Sequence, residues 1–338
     1  KINYQFEFYA VPIENSIRAD RQSIEKDAAV IERLDEFFAR STSISKLNNF
    51  ITCPLDFYYK HVLDFGEEKA VEEEMESSTL GTIVHKVLED FYKPFVRYDE
   101  NLELNPKHRL LQVSDIKLME LQVETKVKEK FTEQFNGDVS AFGTGKNQLN
   151  YRMAISMIEN YLKQQHKSIK DGDQLSIIAL EQNFKIPMEI QGATRTYSIL
   201  LNGTIDRIES VNNKIRLVDF KTGNTKLENM EIKKPSRKGD ERTFIDFAIE
   251  SKHGLQLITY AHMYKTKFGV WPEEAGVLSL VKPQKGVMLL SNADFDLAQM
   301  AAHFEEIMGE ILDRIYDTSV PFTHTTEFMK GNYCEYCK

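Results

Sequence analysis

Residues 203–221, GTIDRIESVNNKIRLVDFK, contain the pattern on which the fold prediction rests. Two stretches rich in aliphatic residues flank an Asn-Asn pair, which is typical of two strands joined by a tight turn. Asp206 stands at the end of the first predicted strand, and Asp219 and Lys221 stand two apart on the second. Because alternate residues of a strand point to the same side of a sheet, we expect Asp219 and Lys221 to share a face beside Asp206.

Further strands and helices are predicted on both sides of this hairpin. Residues 175–190 and 195–211 have the pattern of successive strands, and residues 276–290 have the pattern of two short strands around a Lys-Pro pair. Apolar residues return at helical spacing over 252–269 and over 294–316, which we expect to be the closing helix. The predicted class is therefore α/β, with a mixed central β-sheet flanked by helices.

The first half of the chain is predicted to be mostly helical. Apolar spacing predicts an amphipathic leader helix at 18–40, and the acidic run 66–78 is interpreted as a solvated loop. The other predicted helices are 43–62, interrupted near Cys53, then 78–92, which contains His85, and two more around 114–135 and 150–170.

Composition excludes several functional classes. The 338 residues are 41% hydrophobic and 28% charged, as in ordinary globular proteins. No apolar stretch approaches the roughly 20 residues needed to cross a bilayer, and the N-terminus lacks the order of a signal peptide, so we predict a cytoplasmic protein without membrane partners. With a net charge of -9, any nucleic acid must meet a local positive groove. Because the chain starts with Lys and ends in CEYCK, we expect a piece of a longer protein.

The hairpin residues suggest a metal site. Two carboxylates that face one point form the hard oxygen site that Mg²⁺ or Mn²⁺ prefers. Such an ion polarises a phosphate and lowers the pKa of a bound water. Lys221 could orient that water or stabilise charge that develops on the phosphate. Taken alone, however, a D-x-K pattern on a strand is usually an exposed charged face, and Asp206-Arg207 could be a surface ion pair.

Three motifs in order resemble the RecB-like branch of the PD-(D/E)xK nuclease superfamily. They are G-x-x-D-R at 203–207 (GTIDR), D-x-K at 219–221 (DFK) and Q-x-x-x-Y at 256–260 (QLITY). The upstream GTIVHKVLE, residues 81–89, is similar to the helix of that branch that presents a histidine to the metal. The resemblance implies a restriction-endonuclease-like core and a DNA nuclease.

It also implies a role for each matching residue. The implied metal ligands are His85, Asp206, Asp219 and the backbone carbonyl of Phe220. Lys221 is the implied catalytic lysine, and Gln256 and Tyr260 are implied to support the active site near the substrate. Outside these motifs, Glu181 could assist the site or simply face solvent. A lone helical histidine is more often structural, and only the motif around His85 favours the metal role.

The three cysteines Cys53, Cys334 and Cys337 give no disulfide framework and fit a reducing compartment. Their arrangement resembles the iron-sulfur version of this nuclease branch, found in AddB-type helicase-nuclease subunits and in CRISPR-associated RecB-like exonucleases. That resemblance implies a [4Fe-4S] cluster in the intact protein, with a fourth ligand missing from this chain. The alternatives are unligated thiols or a zinc ion bound by the C-x-x-C pair with other partners.

The loop at 232–242, IKKPSRKGDER, is the most basic stretch near the motifs. We expect it to contact the phosphate backbone of DNA, although a flexible solvated loop is an equally good interpretation. Its candidate DNA-binding residues are Lys233, Lys234, Arg237 and Lys238. The aromatic residues at 58, 59, 91 and 92 have helical spacing and are expected in the core.

These observations predict the following organisation and function. Residues 1–42 form a connection with the leader helix, and 43–338 form the nuclease domain, with a helical part at about 43–172, a sheet-bearing catalytic core at about 173–316 and a cysteine-bearing tail at 317–338. The expected function is that of an AddB-like DNA exonuclease in double-strand-break repair and recombination, with a helicase or nuclease partner subunit. The alternatives are a stand-alone CRISPR-associated type of exonuclease and a catalytically silent DNA-binding module.

Overall fold

A computed structural model describes residues 23–65, 75–99, 101–234 and 240–324 of the chain. Several predictions concern residues outside these ranges. They are the first part of the leader helix, most of the acidic run at 66–78, and the side chains of Arg237, Lys238, Cys334 and Cys337.

A five-stranded mixed sheet forms the centre of the described chain, with the strands in the order β1-β2-β3-β4-β5. The strands are β1 Leu175–Gln191, β2 Thr196–Val211, β3 Lys214–Lys221, β4 Glu274–Ser279 and β5 Met288–Leu289. Neighbouring strands pair antiparallel except β3 and β4, which are parallel. The parallel pair requires a crossover connection, and two helices provide it here.

Helices cover both faces of this sheet. They are α1 Ala28–Arg40, α2 Ile44–Thr52, α3 Pro54–Phe57, α4 Ser77–Tyr92, α5 Val113–Gln134, α6 Gly145–Lys170, α7 Phe244–Glu250, α8 Lys252–Phe268, α9 Leu297–Ala302 and α10 Phe304–Tyr316. Leu217 on β3 packs in a core with α1–α3, α7, α8 and α10. Its neighbour Val218 packs in a second core with α4–α6, because alternate strand residues face opposite sides. The predicted α/β class is confirmed.

The hairpin turn between β2 and β3 has the predicted form. Asn212 and Asn213 have φ angles of 52° and 67°, the left-handed values that a two-residue type I′ turn needs at both positions. Asn212 also accepts a hydrogen bond from the backbone N–H of Gln174 at 2.9 Å and donates one to Asp173 at 2.9 Å. This turn sets the register that brings Arg207 opposite Val218.

Two helix predictions near the ends of the described chain are wrong, one in where the helix starts and one in its continuity. The leader helix starts at Ala28, with Asp27 as its N-cap, because Ile24 pairs instead with Phe322 through two backbone hydrogen bonds of 3.0 and 2.9 Å. The closing helix is two helices, α9 and α10, which meet at His303. The break leaves Phe304 fully buried and stacked on His262, with ring centroids 4.3 Å apart.

The N-terminal helices match the sequence pattern more closely. The predicted interruption near Cys53 is confirmed, since α2 ends at Thr52 and Pro54 begins α3. Tyr58, Phe91 and Tyr92 are buried and Tyr59 packs against the core, so these aromatic residues are structural as expected. No helix among the described residues combines the length and the apolar character that spanning a membrane requires.

Candidate active site

The site lies where strands β2 and β3 stop pairing. Their ladder runs from Val211↔Lys214 to Arg207↔Val218. Beyond it, the Asp206 carboxylate accepts a hydrogen bond from the backbone N–H of Phe220 at 2.7 Å. The prediction that Asp206 ends its strand is therefore wrong: it lies inside β2, and its side chain bridges to β3 where the ladder ends.

His85 and Glu181 approach this carboxylate from two other elements. The His85 Nδ1 atom is 3.8 Å from Asp206 Oδ2 and 3.7 Å from Glu181 Oε1. One ligand atom from each of the three side chains lies within 4.8 Å of the others, which is close enough to share one metal ion. The structure thus brings together residues from α4, β1 and β2 that are far apart in the sequence.

Glu181 adopts an unusual backbone conformation. Its φ angle is 44°, which is uncommon for a residue other than Gly, Asn or Asp. It lies in β1 between the pairs Leu180↔Arg207 and Gln182↔Ile205, and thus across from Asp206. Such strained positions cost on the order of 1–3 kcal/mol and occur preferentially at functional sites.

The electrostatics of the site indicate an excess of carboxylate. Burial, together with the charges of Asp219 and Glu181, raises the pKa of Asp206 to about 7, although His85 opposes the shift. Burial by itself would lower the pKa of His85, but the hydrogen bond to Glu181 and the nearby carboxylates raise it. Both shifts have the direction expected where negative charges converge with too few cations to balance them.

Asp219 occupies the adjoining position on β3. Its side chain is 3% exposed, and Lys221 Nζ lies 2.7 Å from its Oδ2 atom. Gln256 of α8 donates to Asp219 Oδ1 at 2.9 Å and to the Tyr260 hydroxyl at 2.8 Å. Burial first, and then the charge of Asp219, raises the pKa of Tyr260 far above its usual value, so this hydroxyl stays protonated.

Gly203 explains how α8 comes so close to β2. A Cβ atom at this position would lie 2.7 Å from the Met263 methyl and 3.9 Å from the Tyr260 ring. The absence of a side chain lets Met263 pack directly over the strand. The glycine of the G-x-x-D-R pattern therefore helps to position the residues of the Q-x-x-x-Y pattern.

Arg207 lies outside the cluster of carboxylates. It is fully buried, with its Nε atom 2.6 Å from Glu209 Oε2 and its guanidinium 4.4 Å from the Tyr92 ring centroid. It also donates to the Tyr161 hydroxyl at 2.5 Å. Interpreting Asp206-Arg207 as a surface ion pair is therefore wrong, because Arg207 pairs with Glu209 in the interior.

Two residues near the site received no role from the sequence, although Glu89 ends the GTIVHKVLE motif. Glu89 lies one helical turn after His85 on α4, and the charge of Glu181 contributes to raising its pKa, after the larger effect of burial. His253 lies one turn before Gln256 on α8, and its Nδ1 atom is buried without a hydrogen-bond partner in the described chain. Spacing of three or four positions along a helix from His85 and Gln256 is the signal that points to both.

The candidate DNA-binding lysines have different surroundings. Lys234 pairs with Asp294 at 3.1 Å, and both side chains are exposed. Lys233 lines a cavity of about 400 Å³ that also contains Lys252 and His253. Position 233 therefore lies beside the first turn of α8, the helix that contributes Gln256.

Of the three cysteines, Cys53 alone belongs to the described residues. It is buried, with its Sγ atom 3.6 Å from Nδ1 of His324. The Phe220 ring packs edge to face against the His85 ring, with ring centroids 5.9 Å apart. The metal role of the Phe220 carbonyl stays a prediction.

Comparison with known proteins finds a family match over most of the chain. The model of the PD-(D/E)XK nuclease superfamily matches residues 41–338. One of the subunits of an ATP-dependent helicase/deoxyribonuclease of Carboxydothermus hydrogenoformans is 27% identical over 205 residues, which cover 57% of this chain and 17% of that protein. Uncharacterised proteins of Rickettsia bellii and Rickettsia conorii are each 26% identical over 188 residues, which cover 55% of this chain and 19% of theirs. The chain thus matches less than a fifth of the length of these relatives.

Proposed function

Because the chain belongs to the PD-(D/E)XK nuclease superfamily, we propose that it hydrolyses phosphodiester bonds in DNA with the help of Mg²⁺ or Mn²⁺. One observation carries the proposal. His85, Asp206, Asp219 and Lys221 converge from α4, β2 and β3 on the place where the two strands separate. Carboxylates and an imidazole with a lysine beside them form a donor set suited to a divalent ion and a phosphate.

The residues present fit such an ion. His85, Glu181 and Asp206 offer ligand atoms within 4.8 Å of one another, and burial raises the pKa of Asp206 to about 7. A divalent cation would offset this concentration of negative charge. We propose His85, Asp206, Asp219 and the Phe220 carbonyl as ligands, with Glu181 as a further one. When bound, the ion would polarise a phosphate oxygen and lower the pKa of a bound water.

The remaining side chains would act on the substrate and on the ligands. The Lys221 ammonium lies beside the Asp219 carboxylate, and the Lys221 side chain is one-third exposed. The ammonium can therefore contact a phosphate oxygen and stabilise negative charge there. Gln256 donates one hydrogen bond to Asp219 Oδ1 and another to the Tyr260 hydroxyl. These two residues would thereby orient the Asp219 carboxylate within the site.

The finer assignment goes further than the family. We propose an exonuclease domain of an AddB-like helicase-nuclease subunit that acts in double-strand-break repair, with a helicase or nuclease partner subunit. The name of the Carboxydothermus relative and the order of the motifs support this assignment. Lys233, Lys234, Arg237 and Lys238 would contact the phosphate backbone near α8.

We also propose that Cys53, Cys334 and Cys337 contribute to a [4Fe-4S] cluster in the intact protein. The buried position of Cys53 supports a structural role for its thiol. Iron content and visible absorption of protein that extends past Lys338, prepared without oxygen, test the cluster. A colourless, iron-free sample would remove it from the proposal.

The nuclease proposal is tested by degradation of linear DNA in Mg²⁺ or Mn²⁺. The wild-type chain should degrade the DNA, and Asp219→Ala and Lys221→Ala should not. Asp171→Asn, at an exposed position after α6, is the matched control and should behave like the wild type. If the wild type degrades no more DNA than Asp219→Ala and Lys221→Ala, the nuclease proposal fails.

A further inference from the structure

A cavity of about 620 Å³ lies next to the candidate active site. Glu181 belongs both to this cavity and to the group that contains His85 and Asp206. The other walls come from the last turns of α4, from residues 93–99 and 103–106, and from β1. A volume of this size lies within the range of roughly 300–1,000 Å³ typical of small-molecule sites.

The outer wall of the cavity is attached to the sheet by main-chain hydrogen bonds. The backbone N–H groups of Arg97 and Tyr98 donate to the carbonyls of Ile177 and Ile178 at 2.8 and 2.9 Å. The Asn105 side chain closes the segment by donating to the Val96 carbonyl at 3.0 Å. The segment therefore covers the free edge of β1, and these hydrogen bonds hold the outer wall of the cavity against the sheet.

The walls combine apolar surface with acidic groups. Tyr98, Leu104 and Leu180 supply apolar area, and Leu104 is 64% exposed although it is a large hydrophobic residue. The charged groups are one lysine, Lys93, and four carboxylates, those of Glu89, Asp99, Glu103 and Glu181. This balance disfavours a phosphate and favours a flat, partly apolar group that carries hydrogen-bond donors.

Glu89 is the acidic group best placed to select such a ligand. It lies one turn after His85 on α4 and shares the cavity with Glu181. Burial, assisted by the charge of Glu181, raises its pKa, whereas Lys93 opposes the shift. A partly buried carboxylate of this kind gains from accepting a hydrogen bond.

We propose that this cavity binds the nucleobase next to the scissile phosphate. Glu89 accepts a hydrogen bond from the exocyclic amino group of cytosine or adenine, and Tyr98 and Leu104 contact the ring. Thymine lacks that amino group and fits less well, so the cavity makes the nuclease selective for base identity. This inference rests on the proposed nuclease function, because the metal site fixes the phosphate beside the cavity.

A second metal ion is the competing occupant. In the described part of the chain, the ligand atoms that lie within 4.8 Å of one another belong to His85, Glu181 and Asp206, and Glu89 is not among them. A metal ion also gains nothing from Tyr98 and Leu104, which have no oxygen ligand suited to it at neutral pH. The apolar wall therefore favours a base.

Equilibrium binding of labelled oligonucleotides tests the assignment. Fluorescence anisotropy is measured in Mn²⁺ with Asp219→Asn protein, which should not cut, and with single strands of eight dC, dA or dT nucleotides. We expect dC and dA strands to bind about ten-fold more tightly than dT strands, the discrimination of one good base contact. Adding Glu89→Gln should bring the three affinities within about two-fold of one another, because an amide can donate a hydrogen bond to thymine O4 as well as accept one from an amino group.

Two further variants keep the test decisive. Leu104→Asp alters an exposed side chain, should leave folding intact and should weaken binding of every strand. Glu124→Gln on α5 lies outside the cavity and should retain the wild-type preference. Equal affinities of the three strands for the protein with Asp219→Asn alone, a base preference that survives Glu89→Gln, or binding that Leu104→Asp leaves unchanged would each overturn the inference.

Different results would contradict base binding in the cavity and the nuclease function itself. If Glu89→Gln lowers the number of bound Mn²⁺ ions and leaves the base preference unchanged, the cavity holds a second cation and the base assignment is wrong. If the wild-type chain degrades linear DNA without base preference, only the cavity assignment fails. If it neither binds nor degrades DNA, the nuclease function itself fails.

Discussion

Two charged clusters on neighbouring positions of strand β2 have opposite character. Arg207 is buried between Glu209 and two tyrosines, and Arg216 approaches Glu209 at 2.6 Å from the other side. Asp206, the preceding residue, meets Glu181, Asp219 and a single histidine. The first cluster is balanced by its own side chains, whereas the second contains more negative charge than the surrounding residues compensate.

The comparison separates structural from functional roles within the G-x-x-D-R motif. Burying a paired charge is tolerable, but burying carboxylates against one another is costly unless something else supplies positive charge. The Arg207 cluster therefore stabilises the sheet in the protein alone. The Asp206 cluster is an arrangement that stability by itself would not favour, as expected of a site that binds a cation.

The largest expected effect concerns activity. Asp206→Asn should lower the rate of DNA degradation by roughly 10²–10³-fold or more, because it removes a charged group that interacts with the reacting phosphate through the metal. The same change should leave the free energy of unfolding unchanged or raise it, because it removes one of the opposing carboxylates. Nuclease assays and urea unfolding of the metal-free protein measure the two quantities. A strongly destabilised Asp206→Asn would contradict the comparison.

The next largest effect is a loss of folding stability, in contrast to Asp206→Asn, which should lower activity without destabilising the protein. Arg207→Met should lower the free energy of unfolding by about 3–5 kcal/mol, because it leaves Glu209 buried beside fewer partners. Arg33→Met, at an exposed position on α1, should change it by less than about 0.5 kcal/mol. The double variant Arg207→Met with Glu209→Met should recover part of the loss, which a double-mutant cycle in urea would quantify. If the single and double variants lose the same free energy of unfolding, the unpaired Glu209 is not the cause of the loss.

Added Mn²⁺ should stabilise the protein by binding to the Asp206 cluster. Mn²⁺ at about 100 times its Kd should raise the stability of the wild type by about 2.7 kcal/mol, which corresponds to a few degrees in Tm. The increase should disappear with EDTA and be absent from Asp206→Asn, while Asp171→Asn should keep it. Differential scanning calorimetry gives the shift. The proposed ligand set would be refuted by an undiminished Mn²⁺ effect in Asp206→Asn.

The smallest effect concerns the turn that connects the two strands. Asn213→Gly should stabilise the protein by at most about 1 kcal/mol, because glycine adopts its positive φ of 67° without strain. Asn212→Gly should be less favourable, because it removes the hydrogen bonds to Gln174 and Asp173. Both variants should degrade DNA at the wild-type rate. Chemical unfolding separates their stabilities, and a loss of activity in Asn213→Gly would mean that the hairpin register affects the site.

Elements with a regular local pattern could be predicted from the sequence, and elements that depend on distant partners could not. The strand pattern and the Asn-Asn turn are local, and both are present in the structure. The helical pattern at 18–40 does not indicate the start of α1 at Ala28, because Ile24 pairs with Phe322, almost three hundred positions later. The break at His303 serves the burial of Phe304, which no helical periodicity indicates.

By itself, the sequence determined the β2–β3 hairpin, the α/β class and the identity of the polar residues that carry the family motifs. Local backbone preferences and side-chain alternation are enough for these, since they act over a few residues. Only the tertiary structure decided that Arg207 points into the core and that Glu181 joins His85 and Asp206. Those placements depend on how α4 and β1 pack against β2, which brings together charges that are distant in the chain.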